Sequence, residues 1–438
     1  MKTKSPVVTG NLVQPSEVAA GLEKNALIPQ RLPVERRQFR DLILSNPNYF
    51  GTIPGSSLKL VKAMAANTTY EELGCIGYNP ETEQLHAVVT VKKPSGYASG
   101  LCGAGSPEYV RFYLWDEATA AWVDQGVTLA VAHDMPHAEP INYAVTLQIN
   151  PKQKVCSKPN LMKVKAILSW NDLPTAAAPD FVPVWGEIKE VTIQIRPLEL
   201  ILPHFDLKLP IKKLPGLTDV IVPLKPTPLH DWQSLITKKQ APPTRVAASF
   251  KSYLTTQPQQ SSLTLGKVLE SMPEITKGLD SLLAIQTDSS YEELTCVGLN
   301  HPLNTLVATL VVKKPQGYMG GLCSAGSREY VAFWVDWNDG AGWTYAGTNS
   351  VQVHDIAEVP EGGIHYAVTL PVNTVNHTAP CVTGPKLYKV RAVLSWELAP
   401  SNVDPDWLPH WGNRIEEEIQ VQPGAVVEAG QHKPFMET

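Results

Sequence analysis

The chain states one pattern twice, and that repetition limits what it can fold into. Residues 70–79 read YEELGCIGYN and residues 291–300 read YEELTCVGLN. The stretch KKPSGYASGLCGAGSPEYV at 92–110 returns as KKPQGYMGGLCSAGSREYV at 313–331, identical at 14 of 19 positions without a gap. The period is far longer than that of a solenoid, so the pattern means a duplicated domain of roughly 130 residues. The first copy spans 69–197 and the second 286–423. Residues 1–68 form an N-terminal extension with one short helix expected at 33–46. Residues 198–285 are a Pro-rich connector plus a helical lead-in, and 424–438 are a C-terminal tail.

The offset between copies drifts from 221 at Cys75/Cys296, through 223 at Tyr143/Tyr366, to 226 at Trp170/Trp396. Small insertions therefore separate the matched segments, as expected for strands joined by loops. Alternation within those segments agrees. In LHAVVTVKK, the residues Leu85, Ala87, Val89 and Val91 form one face; in EYVRFYLWD, Val110, Phe112 and Leu114 do so, matched by Val331, Phe333 and Val335. MKVKAILSW groups Val164, Ala166, Leu168 and Trp170, and YKVRAVLSW groups Val390, Ala392, Leu394 and Trp396. About seven strands per copy follow, and seven short strands with turn signals between them predict a two-sheet sandwich. Each copy is expected to fold by itself.

The succession of an opening strand, a strand before a Pro-Gly loop, an aromatic strand and a Lys-Val-Xaa-Ala-Xaa-Leu-Ser-Trp strand resembles the immunoglobulin or fibronectin type III superfamily. The paired cysteines of antibody domains, with their intervening core Trp, are missing. The resemblance implies a mainly β chain of two tandem immunoglobulin-like β-sandwiches with short helical lead-ins and a Pro-rich connector. It carries no activity.

Net charge is −5, with 37 basic and 42 acidic residues, so no basic field draws in nucleic acid. The longest apolar runs fall well short of a bilayer span, and the first 25 residues lack the apolar core of a secretory signal. The expectation is a cytoplasmic protein without membrane insertion. Six cysteines fall three per copy: Cys75, Cys102 and Cys156, then Cys296, Cys323 and Cys381. Three cannot all pair within one domain. The default in a reducing compartment is six free thiols; one internal bridge per copy, or a metal or nucleophile role, are the alternatives.

Under the sandwich order, three loops of each copy converge at one end: 96–109, 133–140 and 171–186, with their counterparts in the second copy. The candidate binding residues are Tyr97, Cys102, His133, Asp134 and Trp185, then Tyr318, Cys323, His354, Asp355, Trp407, His410 and Trp411. Most recur in both copies although loops usually diverge. The plain reading is mutual packing, with Gly serving tight turns and His or Asp bonding to backbone. Cys102, His133 and Asp134 have the residue types of a thiolate nucleophile with its base and orienter, but His133 and Asp134 are adjacent and point to opposite sides of an extended strand. Zinc would have only Cys102 and His133, too few ligands and without metal-site spacing. No cofactor and no metal are expected. The aromatic residues near polar tips suit an interface or a sugar groove.

The sequence thus points to a non-enzymatic structural or adhesive protein that presents duplicated loop surfaces, with a protein partner or self-assembly as its interaction. The alternative is a carbohydrate- or small-ligand-binding module, and the third reading is a cysteine-dependent hydrolase.

Overall fold

The computed structural model describes residues 66–197, 287–324 and 326–423. The two helical lead-ins and the connector expected from sequence lie outside these residues. Among the described residues the chain is mainly β, without an α-helix. The first copy contributes β1 (Glu71–Asn79), β2 (Gln84–Val91), β3 (Ser106–Asp116), β4 (Ala121–Ala132), β5 (Ile141–Gln148), β6 (Leu161–Trp170) and β7 (Gly186–Gln194). The second contributes β8 (Glu292–Asn300), β9 (Thr305–Val312), β10 (Ser327–Asp336), β11 (Trp343–Val353), β12 (Ile364–Pro371), β13 (Lys386–Trp396) and β14 (Arg414–Val421).

Hydrogen bonding gives a four-stranded antiparallel sheet, β4-β3-β6-β7, and a ten-stranded mixed sheet, β11-β10-β13-β14-β5-β2-β1-β12-β9-β8. Within each copy, three strands face four across one core. In the first, Leu73, Leu85 and Val89 meet Val110, Phe112, Val164 and Trp170; in the second, Leu294, Leu306 and Leu310 meet Val331, Phe333, Val390 and Trp396.

The three-stranded layers do not end there. β1 meets β12 at Tyr78 and Tyr366, and β5 meets β8 at Tyr143 and Leu299, so β5-β2-β1-β12-β9-β8 closes into a ring of six strands, three from each copy. Cys75 is disulfide-bonded to Cys296, its own counterpart. Ala144, Val307 and Ala367 form a small apolar cluster drawn from both copies. The side chains of Asn79 and Asn300 donate to the hydroxyls of Thr369 and Thr146, and the Tyr143 and Tyr366 hydroxyls donate to Gln420 and Gln194. The strand pairings and these hydrogen bonds each have a mate with the copies exchanged, which is the signature of an isologous two-fold interface, here inside one chain.

The ring explains a limit of the alternation argument. Leu85, Ala87, Val89 and Val91 are fully buried as expected, but Val88 is as well, and His86 is 1 % exposed. A strand covered on both faces reads as a nearly continuous apolar run. Its second face here is covered by the other copy. Close approach also demands glycine: a Cβ on Gly77 would lie 2.5 Å from the Tyr366 carbonyl oxygen, and one on its counterpart Gly298 would lie 3.2 Å from the Ala144 nitrogen.

All six cysteines are bonded, and every bridge runs between copies: Cys75–Cys296, Cys102–Cys381 and Cys156–Cys323. This corrects the expectation of free thiols. Three per copy cannot pair internally, but three and three pair completely across a two-fold. The same bridges set the orientation. Cys102 sits in the first copy's β2–β3 loop, whereas Cys381 lies in the second copy's β12–β13 connection, at the opposite end of its sandwich. The copies therefore lie side by side, head to tail.

Candidate functional site

The three loops do meet, around Tyr70. Its ring packs edge-on against Tyr97 at 6.5 Å and Trp185 at 5.4 Å. The Tyr97 hydroxyl donates to the Tyr70 carbonyl at 2.8 Å, a bond that Tyr318 repeats to Tyr291 at 2.9 Å. Tyr97, Trp185, Tyr318 and Trp411 are all buried, and Trp411 packs edge-on against Trp396 at 5.6 Å. These aromatic residues build the end of each sandwich and offer little surface.

Asp134 and Asp355 organise the glycine-rich loops. Oδ1 of Asp134 accepts the backbone N–H groups of Gly96 at 2.6 Å and Tyr97 at 2.8 Å. Asp355 accepts Gly317 and Tyr318, both at 2.7 Å, and its Oδ2 adds Gly320 at 3.0 Å. A carboxylate receiving backbone N–H groups makes bonds stronger than neutral ones. The neighbouring histidines hold the far side of the same loops: Nε2 of His133 meets the Gly103 carbonyl at 3.3 Å, and that of His354 meets the Ser324 carbonyl at 3.1 Å. A carbonyl only accepts, so Nε2 carries the proton in both. Burial lowers the pKa of each imidazole. Asp355→Ala is accordingly expected to lower stability by about 2–4 kcal/mol and to accelerate amide exchange at Gly317, Tyr318 and Gly320. An unchanged denaturation midpoint would show the clip to be dispensable.

Cys102 and Cys323 are tied up in bridges, so no thiolate stands beside His133 or His354. Among the described residues no group of three His, Cys, Asp or Glu side chains is placed to hold a metal.

The last loop behaves differently. Residues 174–180 leave the sandwich end and cross the outer face of the four-stranded sheet. Arg111 bonds the Pro174 carbonyl, Tyr113 that of Thr175, and Lys165 that of Pro179. Lys165 lies 4.5 Å above the Trp122 ring. In the second copy Arg391 takes this place, 4.2 Å over Trp343, bonding the Pro405 carbonyl at 2.6 Å and Asp406 at 2.8 Å. Trp407 and His410 follow this anchor and are half-buried, as are His133, Asp134, His354 and Asp355, while Cys102 and Cys323 are exposed.

Sequence reasoning missed a second set of residues, at the seam between copies. His86 in β2 is enclosed, with Nδ1 3.0 Å from the Thr146 hydroxyl and Nε2 without a partner; burial holds its pKa near 3. His301, in the β8–β9 turn, has neither ring nitrogen bonded, lies 5.1 Å from the Tyr143 ring, and is held near 4 by burial, with repulsion from His133 adding to it. The signal was present as disagreement between copies, since Val307 stands opposite His86 and Pro80 opposite His301.

No protein-family model and no curated protein matches the chain. Among solved structures, the sensor domain of the anti-sigma factor RsgI4 of Pseudobacteroides cellulosolvens is 9% identical, covering 32% of this chain and 90% of that one, with a TM-score of 0.17. The BSP domain of a biofilm-associated protein is 10% identical over 87% of this chain and 55% of its own, and CBD12 from CALX1.2 is 7% identical over 80% and 99%; both have TM-scores of 0.17. Likeness at this level carries no argument about function.

Proposed function

We propose that the chain is a non-enzymatic structural or adhesive module of an oxidising compartment. The observation that carries this reading is that all three disulfides join one copy to the other. Disulfides persist outside the reducing cytosol, which replaces the cytoplasmic setting expected from sequence. They also fix the copies head to tail, so the two loop ends are offered at opposite ends of one rigid body. Such an arrangement suits bridging two partners better than gripping one. The strand order β1-β2-β5 against β4-β3-β6-β7 supports the immunoglobulin or fibronectin type III-like form of each copy, a frame that commonly serves as a spacer and docking unit.

The test is adhesion by the intact, oxidised protein. Beads coated with it are scored for attachment to surfaces bearing extracellular matrix proteins, with Trp407→Ala as the variant. Trp407 is half-buried on a loop, and an aromatic anchor of this kind typically costs about 2 kcal/mol or more on truncation. The expected result is attachment reduced more than tenfold with the fold intact. Thiol labelling under denaturing, non-reducing conditions should find no reactive cysteine. Attachment to none of the surfaces, or six thiols in protein taken directly from its source, would sink the reading.

A further inference from the structure

The connection between β12 and β13 breaks the two-fold likeness of the copies. Between Asn373 and Cys381 the second copy has seven residues, TVNHTAP, where the first has five, PKQKV, between Asn150 and Cys156. The longer version contains Asn376-His377-Thr378, the Asn-Xaa-Ser/Thr pattern that accepts an N-linked glycan. Its neighbours are held in place. Thr374 donates to Oδ1 of Asn304 at 2.8 Å, and Asn373 accepts the Val375 N–H at 3.1 Å. His377 stacks on Trp337 at 3.6 Å and takes the Tyr388 hydroxyl on its carbonyl at 2.9 Å, while Thr378 donates to the Val375 carbonyl at 3.0 Å. Asn376 is different. It is exposed on the short 3-10 turn Val375–His377, and its side chain makes no hydrogen bond among the described residues. The turn therefore presents one unused amide to solvent on a backbone that is otherwise pinned.

We infer that Asn376 is an N-glycosylation site. This rests on the oxidising-compartment reading, because the donor, a lipid-linked oligosaccharide, is met on export from the cytosol. In the transfer, Nδ2 of Asn376 gives up a proton and bonds to C1 of the first sugar, and the C1–O bond to the lipid pyrophosphate breaks, which leaves with the electron pair. The finished fold has room for the product. Its first rings would lie over Val375, which is 72% exposed beside the acceptor. The chain has one other such pattern, Asn67-Thr68-Thr69, but there the fold already uses the side chain. Oδ1 of Asn67 accepts the Thr69 N–H at 2.9 Å, and its counterpart Asp288 does the same for Ser290 at 2.8 Å. An oxygen is all that turn requires. The placement of Asn376 also separates the two ends of the molecule. Its connection is tied through Cys381 to the first copy's loop end, away from Trp407. The matching connection, tied through Cys156 beside the second copy's loop end, has no acceptor. One end carries the glycan, and the end with Trp407 stays open.

The experiment starts from the full chain taken directly from its source. Peptide:N-glycosidase in heavy-oxygen water turns a glycosylated Asn into a labelled Asp, and peptide mass spectrometry locates the label. It is expected at Asn376, together with a gain in gel mobility of the intact chain. Asn376→Gln and Thr378→Ala, produced in the same cells, should each abolish the mobility shift, whereas Thr378→Ser keeps the acceptor pattern and should retain it. Asn376→Gln touches none of the bonds that hold the turn, so the loss is read on a folded protein. A count of free thiols on the same sample separates the two readings. Unlabelled Asn376 in protein whose six cysteines are all bonded would overturn the site and leave the compartment standing, and free thiols without any label would overturn both. Label confined to Asn67, or a shift that survives Asn376→Gln, would equally overturn the assignment.

Discussion

Produced by itself in an oxidising medium, the second copy, residues 287–423, is expected to emerge as a covalent homodimer. Its three-stranded layer has a second apolar face, with Val307 and Ala367 in contact with the first copy. Removing that copy bares this face and leaves Cys296, Cys323 and Cys381 without partners. A second molecule of the same copy restores both, because the interface is isologous: Cys296 would meet Cys296, and Cys323 would meet Cys381 crosswise. Gel filtration and non-reducing mass spectrometry should find a dimer with three crosslinks. In the intact chain, one bridge closing a loop of 167 to 279 residues stabilises by about 5–6 kcal/mol in the chain-entropy picture. The loops overlap, so the three are not additive. Full reduction should still lower the melting temperature by on the order of 10 °C or more. A monodisperse, cooperatively folding monomer of one copy would contradict the shared ring.

Acidification should loosen the seam well before carboxylates begin to protonate. His86 and His301 titrate near 3 and 4 when folded, against about 6.5 when exposed. The unfolded chain therefore binds more protons than the folded one between these values. The stability they contribute is complete above about pH 6.5 and is lost as pH falls toward 4. Each histidine accounts for about 1.4 kcal/mol per pH unit, so descending from pH 7 to 5 should cost about 2 kcal/mol per residue. Urea denaturation across pH 5 to 7 measures this slope. His86→Val, using the residue that stands at Val307 in the other copy, should lower it by about 1.4 kcal/mol per pH unit below pH 6 while losing the bond to Thr146. A variant with the parental slope would place the proton uptake elsewhere.

How much of this was legible in the sequence depended on what each residue answers to. The strands of both copies followed from alternation, since Val110, Phe112 and Leu114 face one core and obey a local rule. β2 and β5 obeyed two masters, and no period within LHAVVTVKK could reveal that its second face, Val88 included, meets another copy. The cysteines stood at the threshold of being read: an odd number per copy excluded internal closure, and equal numbers in both permitted closure between them. The loop residues Asp134 and His133 matched the plain reading of backbone bonding, because adjacent side chains on an extended segment serve opposite sides. His86 and His301 gave no motif at all, being informative only as departures from an otherwise repeated text.

The bridges also decide how the molecule would bear a pull. Tension applied at residues 66 and 423 enters at Cys75 and leaves at Cys381, which are 306 residues apart along the backbone. The Cys102–Cys381 bond shortens that route to the 27 residues from Cys75 to Cys102. Fully drawn out, that is roughly 90–95 Å of chain in place of about 1000 Å. The copies can be sheared only until this short tether is taut; beyond that, covalent bonds carry the load, and the intervening backbone stays slack.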